Sequence, residues 1–379
     1  MNTIREVAII SAGCIVAIWI VYPLVIGLIA RSKRRATPHP GSSVGGKAPS
    51  VSIIIATCDD APSVRTRIAD CLRAAPRGVS AFEVVVSLDA RGSRTAPEDV
   101  SPPENVKIVR GDDPGGKAAA LNAGVRAAAG DVLVFTDVHQ RFEPAAVDRL
   151  VAAFADAGVG AASGRLELAP TARRSVIGRY WSYERWLRRC EGLIHSCVGA
   201  TGAIWAVRRS LWSPLPPELI LDDVYTPMRV VLGGNRVVFV DDARATDLRE
   251  ADRGHEFRRK VRTLTGVLQL CIWLPALLVP LRNPIWPQFV CHKLLRLLTP
   301  YWLIALGASF GAMVVRWIES SPALATVPLF ATAAATAVSK ARVWRVAREM
   351  LLWGLMLQAA VVMAAMNGVR RRWDVWHPQ

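Results

Sequence analysis

Two groups of polar side chains stand out because they follow apolar segments directly. Asp137 and His139 come after the apolar run 132–135, and the tandem Asp222-Asp223 follows the mostly apolar segment 218–221. A carboxylate and an imidazole two positions apart could bind a divalent metal, although His139 could equally form only hydrogen bonds in a loop. For the tandem acids the ordinary alternative is helix capping by Leu221 or Asp222.

The elements that must position these groups alternate between strand-like and helix-like patterns. Apolar segments at 51–57, 82–89, 106–111 and 131–137 predict strands, and 115–130 predicts a helix. Continuous apolar strands between helices predict a parallel sheet that is covered on both faces. Ligands of such sheets bind beyond the carboxyl ends of the strands. These ends carry Thr57, Asp59, Asp60, Asp89, Asp137 and His139.

These strand-end acids would repel one another, so the crevice needs a cation or a ligand with donor groups. Gly115-Gly116-Lys117 opens the predicted helix 115–130, and helix N-terminal amides favour anions. The small residues Gly199, Ala200, Thr201 and Gly202 precede another strand-like segment, where they would let a ligand approach the backbone closely.

Composition and charge restrict the class of protein. The 379 residues have a net charge of +16 and a mean hydropathy of +0.26, and the apolar runs lie near both ends. Basic clusters at 31–35, 258–262 and 340–348 flank these runs. Such clusters are typical of cytoplasmic loops that contact anionic lipids. No basic stripe is interleaved with aromatic residues, so nucleic acid is excluded as a partner. Seven scattered cysteines without a CxxC pattern suit a reducing compartment.

The apolar runs predict membrane segments on both sides of a globular part. Residues 7–30 are an uncharged run followed by Arg31, which indicates an uncleaved anchor whose C-terminal side is cytoplasmic. Residues 264–281 predict an interfacial segment, because Pro275 and Pro280 interrupt the run. Three further candidate spans are 298–315, 322–339 and 350–366. The predicted organisation is an anchor at 1–35, a linker at 36–50, a cytoplasmic α/β domain at 51–263 and a membrane region at 264–379.

The ordered series of segments resembles the family 2 glycosyltransferases of GT-A fold. The segments are "VSIIIATCDD", "VVVSLD", "GGKAAALNAG", "DVLVFTDVH", "VGATGAIWAVRR", "LDDVYTPMRVVLGG" and "FRRKVR". More narrowly, they resemble the membrane-anchored branch related to cellulose, hyaluronan and poly-N-acetylglucosamine synthases. The resemblance implies a Rossmann-like nucleotide-sugar domain with an N-terminal and several C-terminal transmembrane helices.

The resemblance also implies site roles. Asp137, with His139 in place of a second Asp, would hold Mg²⁺ or Mn²⁺ against a nucleotide diphosphate. Asp223 of the pair with Asp222 would be the catalytic base, and Thr263 replaces the family's Trp beside the acceptor. The donor-binding positions would be Thr57, Asp59, Asp60, Asp89, Lys117, Asn122, Asp137, Arg259 and Arg262, and the acceptor-binding positions Gly199, Ala200, Thr201 and Gly202.

The resemblance implies an enzyme that transfers a sugar, with inversion, from a nucleotide-sugar donor at a bacterial cell membrane. We expect the donor to be a UDP-sugar. The acceptor would be lipid-linked or a polysaccharide, and membrane lipids and biosynthetic partner subunits would be further partners. The alternatives are a processive exopolysaccharide synthase and a non-catalytic nucleotide-sugar-binding membrane subunit. A transporter is disfavoured, since a large globular part carries the strand-end acids and the spans have few polar residues.

Overall fold

The computed structural model describes residues 2–33, 48–169, 175–248, 253–320 and 342–373. The predicted span 322–339 and most of the predicted linker lie outside these residues. The α-helices are α1 (Asn2–Val16), α2 (Tyr22–Ser32), α3 (Ala61–Arg73), α4 (Lys117–Ala127), α5 (Ala146–Ala152), α6 (Val176–Ile194), α7 (Asp222–Leu232), α8 (Arg253–Trp273), α9 (Trp286–Phe289), α10 (Thr299–Ser320) and α11 (Arg342–Val369).

An eight-stranded mixed sheet forms the centre of the globular part, in the order β3-β2-β1-β4-β7-β6-β8-β5. The first four strands are mutually parallel, as the apolar segments predict, whereas β7 pairs antiparallel with β4. The strands are β1 (Ser50–Thr57), β2 (Ala81–Leu88), β3 (Val106–Arg110), β4 (Val132–Thr136), β5 (Gln140–Phe142), β6 (Val159–Leu168), β7 (Trp205–Arg208) and β8 (Arg236–Asp247).

Both faces of the sheet are buried, which confirms the prediction from its apolar strands. Ile53 and Ile55 of β1 belong to one hydrophobic cluster with Ile68 of α3, and Ile54 belongs to another with Leu121 of α4. Alternate residues of a strand point to opposite faces, so each run must be apolar throughout. The rigid sheet fixes where β1, β2 and β4 end, and this edge carries the strand-end acids.

Three helical segments of the described residues are long and apolar enough to cross a membrane, namely Asn2–Ser32, Trp286–Ser320 and Arg348–Val369. They contain the predicted spans 7–30, 298–315 and 350–366. Helix α8 runs continuously through the predicted domain boundary between residues 263 and 264. It packs along α11, so the globular part and the candidate spans share an interface.

Candidate active site

One cavity of about 280 Å³ gathers much of the predicted site. Its floor lies at the end of β4 and the start of α7, and its walls include α6, α8 and residues of all three candidate membrane segments. The predicted site residues that line it are Lys117, Asp137, Ala200, Thr201, Gly202, Asp222, Asp223, Arg259 and Arg262.

Lys117 is the central cation of the site. Its Nζ lies 3.1 Å from Asp137 Oδ1 and 3.2 Å from Asp222 Oδ1. Burial lowers the pKa of Lys117, but Asp137 and Asp222 outweigh this effect and the pKa is raised. The ammonium group therefore stays charged and pairs directly with two of its three neighbouring carboxylates, Asp137 and Asp222 but not Asp223.

Asp223 is the neighbouring carboxylate that forms no direct ion pair with this cation. Its Oδ2 accepts a hydrogen bond from Gly202 N at 3.0 Å, and it forms no ion pair within the described part of the chain. Burial and the neighbouring Asp222 carboxylate raise the pKa of Asp223 to about 6. A partly exposed carboxylate with a raised pKa in a cavity is suited to accept a proton.

Gly202 brings the two ends of the site together. A Cβ atom at this position would lie 3.4 Å from Asp223 Oδ2 and 3.6 Å from Asp137 Oδ2, so both carboxylates flank the same glycine. Ala200 N also donates to the backbone carbonyl of Asp223 at 2.6 Å. The loop at 199–202 is thus bound to the tandem acids, and Gly199 packs against Val224 rather than lining the cavity.

The capping alternative for the tandem acids does not hold at Leu221. It is the N-cap residue of α7, but its side chain makes no capping hydrogen bond. Asp222 is buried and directed at Lys117 instead.

A fully buried arginine supports the end of β4. Arg67 of α3 pairs with Asp70 and donates to Thr136 Oγ1 at 2.5 Å, and its guanidinium lies 4.1 Å from the Phe142 ring centroid. Thr136 Oγ1 donates in turn to the Ala203 carbonyl at 2.7 Å. Thr136 is therefore held from both sides, and the following residue, Asp137, enters the cavity from a fixed backbone.

Asp89 organises the glycine turn in front of α4. Its Oδ1 accepts from Gly116 N at 2.6 Å and from Arg91 N at 3.0 Å. Gly115 and Gly116 have φ angles of +87° and +94°, and a Cβ on Gly115 would lie 2.8 Å from Asp89 Oδ1. Only glycine fits this turn without strain, and the turn places Lys117 at the start of α4. A direct contact between Asp89 and the donor stays a prediction.

His139 lies beside Asp59, outside the residues that line the cavity. Its Nε2 is 3.4 Å from Asp59 Oδ1, and Arg94 binds the same oxygen at 3.1 Å. The hydrogen bond from His139, followed by that from Thr57, lowers the pKa of Asp59. These residues form a separate polar cluster at the ends of β1 and β4, and their donor or metal contacts stay predictions.

Two further predicted donor residues have structural contacts. Asn122 donates to the Leu215 carbonyl at 2.9 Å and accepts from Leu215 N at 2.8 Å, so both polar atoms of its side chain are engaged. Asp60 caps α3 by accepting from Ser63 N at 3.0 Å. These contacts give Asn122 and Asp60 structural roles that need no ligand. Their binding of the donor stays a prediction.

Arg259 and Arg262 enter the cavity from α8. Arg259 pairs with Glu256 at 3.1 Å, and its guanidinium lies 4.6 Å from the Trp181 ring centroid. Arg262 is near enough to Lys117 for their positive charges to interact. Thr263 donates to the Arg259 carbonyl at 2.8 Å, so the residue in place of the family's Trp is used within the helix.

The donor set allows a divalent metal only with help from a ligand. Across the described ranges, no three His, Cys, Asp or Glu side chains form a group that could hold an ion. Asp137 is the accessible carboxylate, with a side chain that is 41% exposed. Mg²⁺ and related ions commonly take one or two carboxylates and complete their shell with substrate phosphates and water. Asp137 fits that arrangement.

Several cavity residues were not found from the sequence, in particular Tyr180, Glu184 and Arg188 of α6 and Lys293. The first three recur every four residues, which places them on one helix face. That spacing is the signal that the sequence offers for these three residues.

Comparison with known proteins found one matching family model and solved structures of similar fold. Residues 52–213 match the family model described as Glycosyl transferase family 2. The mannosyltransferase PcManGT from Pyrobaculum calidifontis, solved with GDP-Man and Mn²⁺, is 21% identical with a TM-score of 0.70, covering 97% of this chain and 99% of its own. Glucosyl-3-phosphoglycerate synthase from Mycobacterium tuberculosis, solved with Mn²⁺, UDP and glucosyl-3-phosphoglycerate, is 17% identical with a TM-score of 0.41, covering 63% and 85%. No curated protein matches the chain.

The fold and the site define a Rossmann-like α/β protein of GT-A type, with acidic strand ends facing a cavity. Within that class, the match to the family model described as Glycosyl transferase family 2 covers residues 52–213, which is less than half of the chain.

Proposed function

We propose that this protein is an inverting, metal-dependent glycosyltransferase that moves a sugar from a nucleotide sugar to a lipid-linked or polysaccharide acceptor at the membrane. The observation that carries the proposal is the arrangement of three of the cavity's carboxylates, those of Asp137, Asp222 and Asp223, around Lys117. Asp137 and Asp222 share Lys117, whereas Asp223 forms no ion pair within 4.0 Å among the described residues and has a raised pKa.

In the proposed reaction, Asp223 takes the proton from an acceptor hydroxyl. The hydroxyl oxygen forms a bond to the anomeric carbon, and the bond from that carbon to the diphosphate oxygen breaks. The electron pair of that bond leaves with the nucleoside diphosphate. Lys117 and Arg262 are placed to offset the negative charge of the departing group.

Asp137 is the residue that would hold a divalent cation, together with oxygen atoms of the donor. Such a cation neutralises charge on a leaving diphosphate. Mn²⁺ accompanies GDP-Man in the structure of the Pyrobaculum mannosyltransferase, which supports the assignment of a metal cofactor. His139 as a second ligand remains a prediction.

The three candidate membrane segments support a location at a membrane with the catalytic domain in the cytoplasm. The basic residues 31–35 follow the first segment directly, and an excess of Arg and Lys marks cytoplasmic flanks.

A donor panel tests the proposal. Purified full-length protein in detergent would be incubated with UDP-sugars and GDP-sugars, with Mn²⁺, Mg²⁺ or EDTA, and release of nucleoside diphosphate would be measured. We expect metal-dependent release from one donor above the others. Binding of donors without any release, across the panel and in the presence of membrane lipid extract, would contradict the proposal.

The pKa of Asp223 gives a pH prediction. A base works when it is deprotonated, and burial with the Asp222 charge raises the pKa of Asp223 to about 6. We therefore expect kcat/KM to fall about tenfold per pH unit below that value and to be level above it. A pH–rate profile of the purified protein measures this.

Thermal stability over the same pH range is the control. Between pH 3.8 and about 6, Asp223 is protonated in the folded protein but ionised in the unfolded chain, where its pKa is 3.8. This group therefore makes the fold less stable as pH rises from 3.8 to about 6, so a rise in activity across that window cannot come from stabilisation. A rate that is constant from pH 4.5 to 8 would contradict the base assignment.

A further inference from the structure

A second group of charged residues lies in the same cavity, away from the strand ends. Arg188 of α6, Lys260 of α8 and Lys293 of the segment after α9 all line it. None of these three cations has a carboxylate oxygen within 4.0 Å among the residues that the structure describes. We call these three residues the basic cluster.

Nearby carboxylates are already engaged by other partners. Glu184 pairs with Arg296 and with His292 Nε2 at 3.0 Å. Glu191 binds His292 Nδ1 at 2.9 Å and the Tyr22 hydroxyl at 2.6 Å. This network joins α2, α6 and the segment after α9. Its carboxylates form their close ion pairs there, and Glu184 and Glu191 reach Lys293 only through a longer-range electrostatic interaction.

Lys260 is partly buried against aromatic rings, and its main electrostatic attraction is to Glu256, without a close ion pair between the two. Its Nζ lies 4.5 Å from the Tyr180 ring centroid and 5.2 Å from that of Trp181, and burial lowers the pKa of Lys260 to about 8. Cations gathered in a partly buried cavity are costly unless an anion binds there. A cluster with this charge and partial dehydration is suited to bind an anion.

The position of the cluster indicates which anion it takes. Trp19 of the first candidate membrane segment, Lys293 of the second and Leu357 of the third line the same cavity. An occupant of this part of the cavity would therefore contact helices suited to lipid. Arg188 interacts electrostatically with both Asp223 and Lys293, so the cluster also adjoins the base.

We infer that Arg188, Lys260 and Lys293 bind the phosphate or diphosphate of a lipid-linked acceptor, with the lipid between the membrane segments and the reacting hydroxyl at Asp223. The inference rests on the proposed function and narrows its open acceptor to a lipid phosphate. The donor diphosphate is assigned elsewhere, because Lys117 and Asp137 lie at the strand ends, where ligands of such sheets bind.

A binding experiment tests the inference independently of turnover. Full-length protein in detergent would be titrated with farnesyl diphosphate and with uncharged farnesol, using tryptophan fluorescence, since Trp19 and Trp181 line the cavity. We expect farnesyl diphosphate to bind at least about tenfold more tightly than farnesol, because charge-assisted hydrogen bonds are the strong ones. Equal affinity for the two ligands would overturn the inference.

Variants assign the effect to residues. Lys293→Gln and Arg188→Gln should each weaken farnesyl diphosphate binding about tenfold or more, and Lys293→Arg should restore most of it. Arg282→Gln is the matched control, because Arg282 is exposed and does not line the cavity. Melting temperature and gel filtration verify folding. Equal losses in the control and cluster variants, or no loss when Lys293 is replaced in a folded protein, would overturn the assignment.

Three competing ligands separate the possible sources of the phosphate. We expect inorganic phosphate, phosphatidylglycerol and nucleoside diphosphate with Mn²⁺ to displace farnesyl diphosphate poorly. Displacement by phosphatidylglycerol would make this a bulk-lipid site, and displacement by the nucleotide would make it part of the donor site; either overturns the inference. The donor panel could show no turnover while the Arg188 and Lys293 variants still weaken the binding of farnesyl diphosphate. In that case the proposed glycosyltransferase function is wrong and the lipid-phosphate site is retained.

Discussion

Asp223→Asn is expected to lower kcat by about 10²–10⁴-fold, the usual contribution of a general base. The asparagine oxygen can still accept from Gly202 N, which Asp223 Oδ2 does at 3.0 Å, so folding and donor binding should persist. The cause of the loss is chemical, since an amide cannot take the acceptor proton. Initial rates at saturating donor and acceptor, with donor affinity measured separately, check this expectation.

Asp242→Asn is the matched control for that variant. Asp242 lies in β8 with a side chain that is 68% exposed, and it does not line the cavity. Its replacement should leave the rate within about twofold of wild type, as is usual for surface changes. Undiminished turnover in Asp223→Asn would contradict the assignment of Asp223 as the catalytic base and leave Asp222 as the remaining candidate for that role.

Asp137→Asn is the second change with a large expected effect. It should lower turnover by about 10³-fold and raise the Mn²⁺ or Mg²⁺ concentration needed for half-maximal rate, because metal stabilisation of a leaving group contributes several kcal/mol. The fold should tolerate the change, because Lys117 keeps its 3.2 Å pairing with Asp222. Metal titrations of the rate at saturating donor measure both effects.

Two comparison variants sharpen that experiment. Glu143→Gln removes a half-exposed carboxylate from the same segment, outside the cavity, and should change neither the rate nor the metal requirement. His139→Gln separates two versions of the site: a shifted preference between Mn²⁺ and Mg²⁺ would support His139 as a ligand, whereas no shift is expected if its ring serves Asp59 alone. Normal metal-dependent turnover in Asp137→Asn would contradict the metal assignment.

The parts of the site that could be predicted are those that topology controls. Apolar runs located β1 to β4, and the rule that ligands bind beyond strand ends placed Asp137 in the crevice. The turn before α4 could also be found, because Gly115-Gly116 with a following helical pattern is a local signal. These features depend on short segments of sequence and on a general property of parallel sheets.

Other features depend on contacts that a single sequence does not display. The partner of Asn122 is the backbone of Leu215, 93 positions along the chain, and the contact of His139 with Asp59 joins the ends of two different strands. The basic cluster arises because α6, α8 and the segment after α9 pack around one cavity. The residue pattern of a single helix cannot predict that cations from three different segments will line the same cavity.

Transfer of labelled sugar by the purified full-length protein distinguishes a glycosyltransferase from a protein that only binds the donor. The donor selected by the panel, radiolabelled in its sugar, would be incubated with membrane lipid extract and Mn²⁺, and label in the organic phase would be counted. We expect label in the lipid fraction with the wild-type protein. This label should be lost when EDTA is added or when Asp223 is replaced by Asn. Donor binding without any labelled product, in wild type as in Asp223→Asn, would contradict the account and identify a non-catalytic nucleotide-sugar-binding subunit.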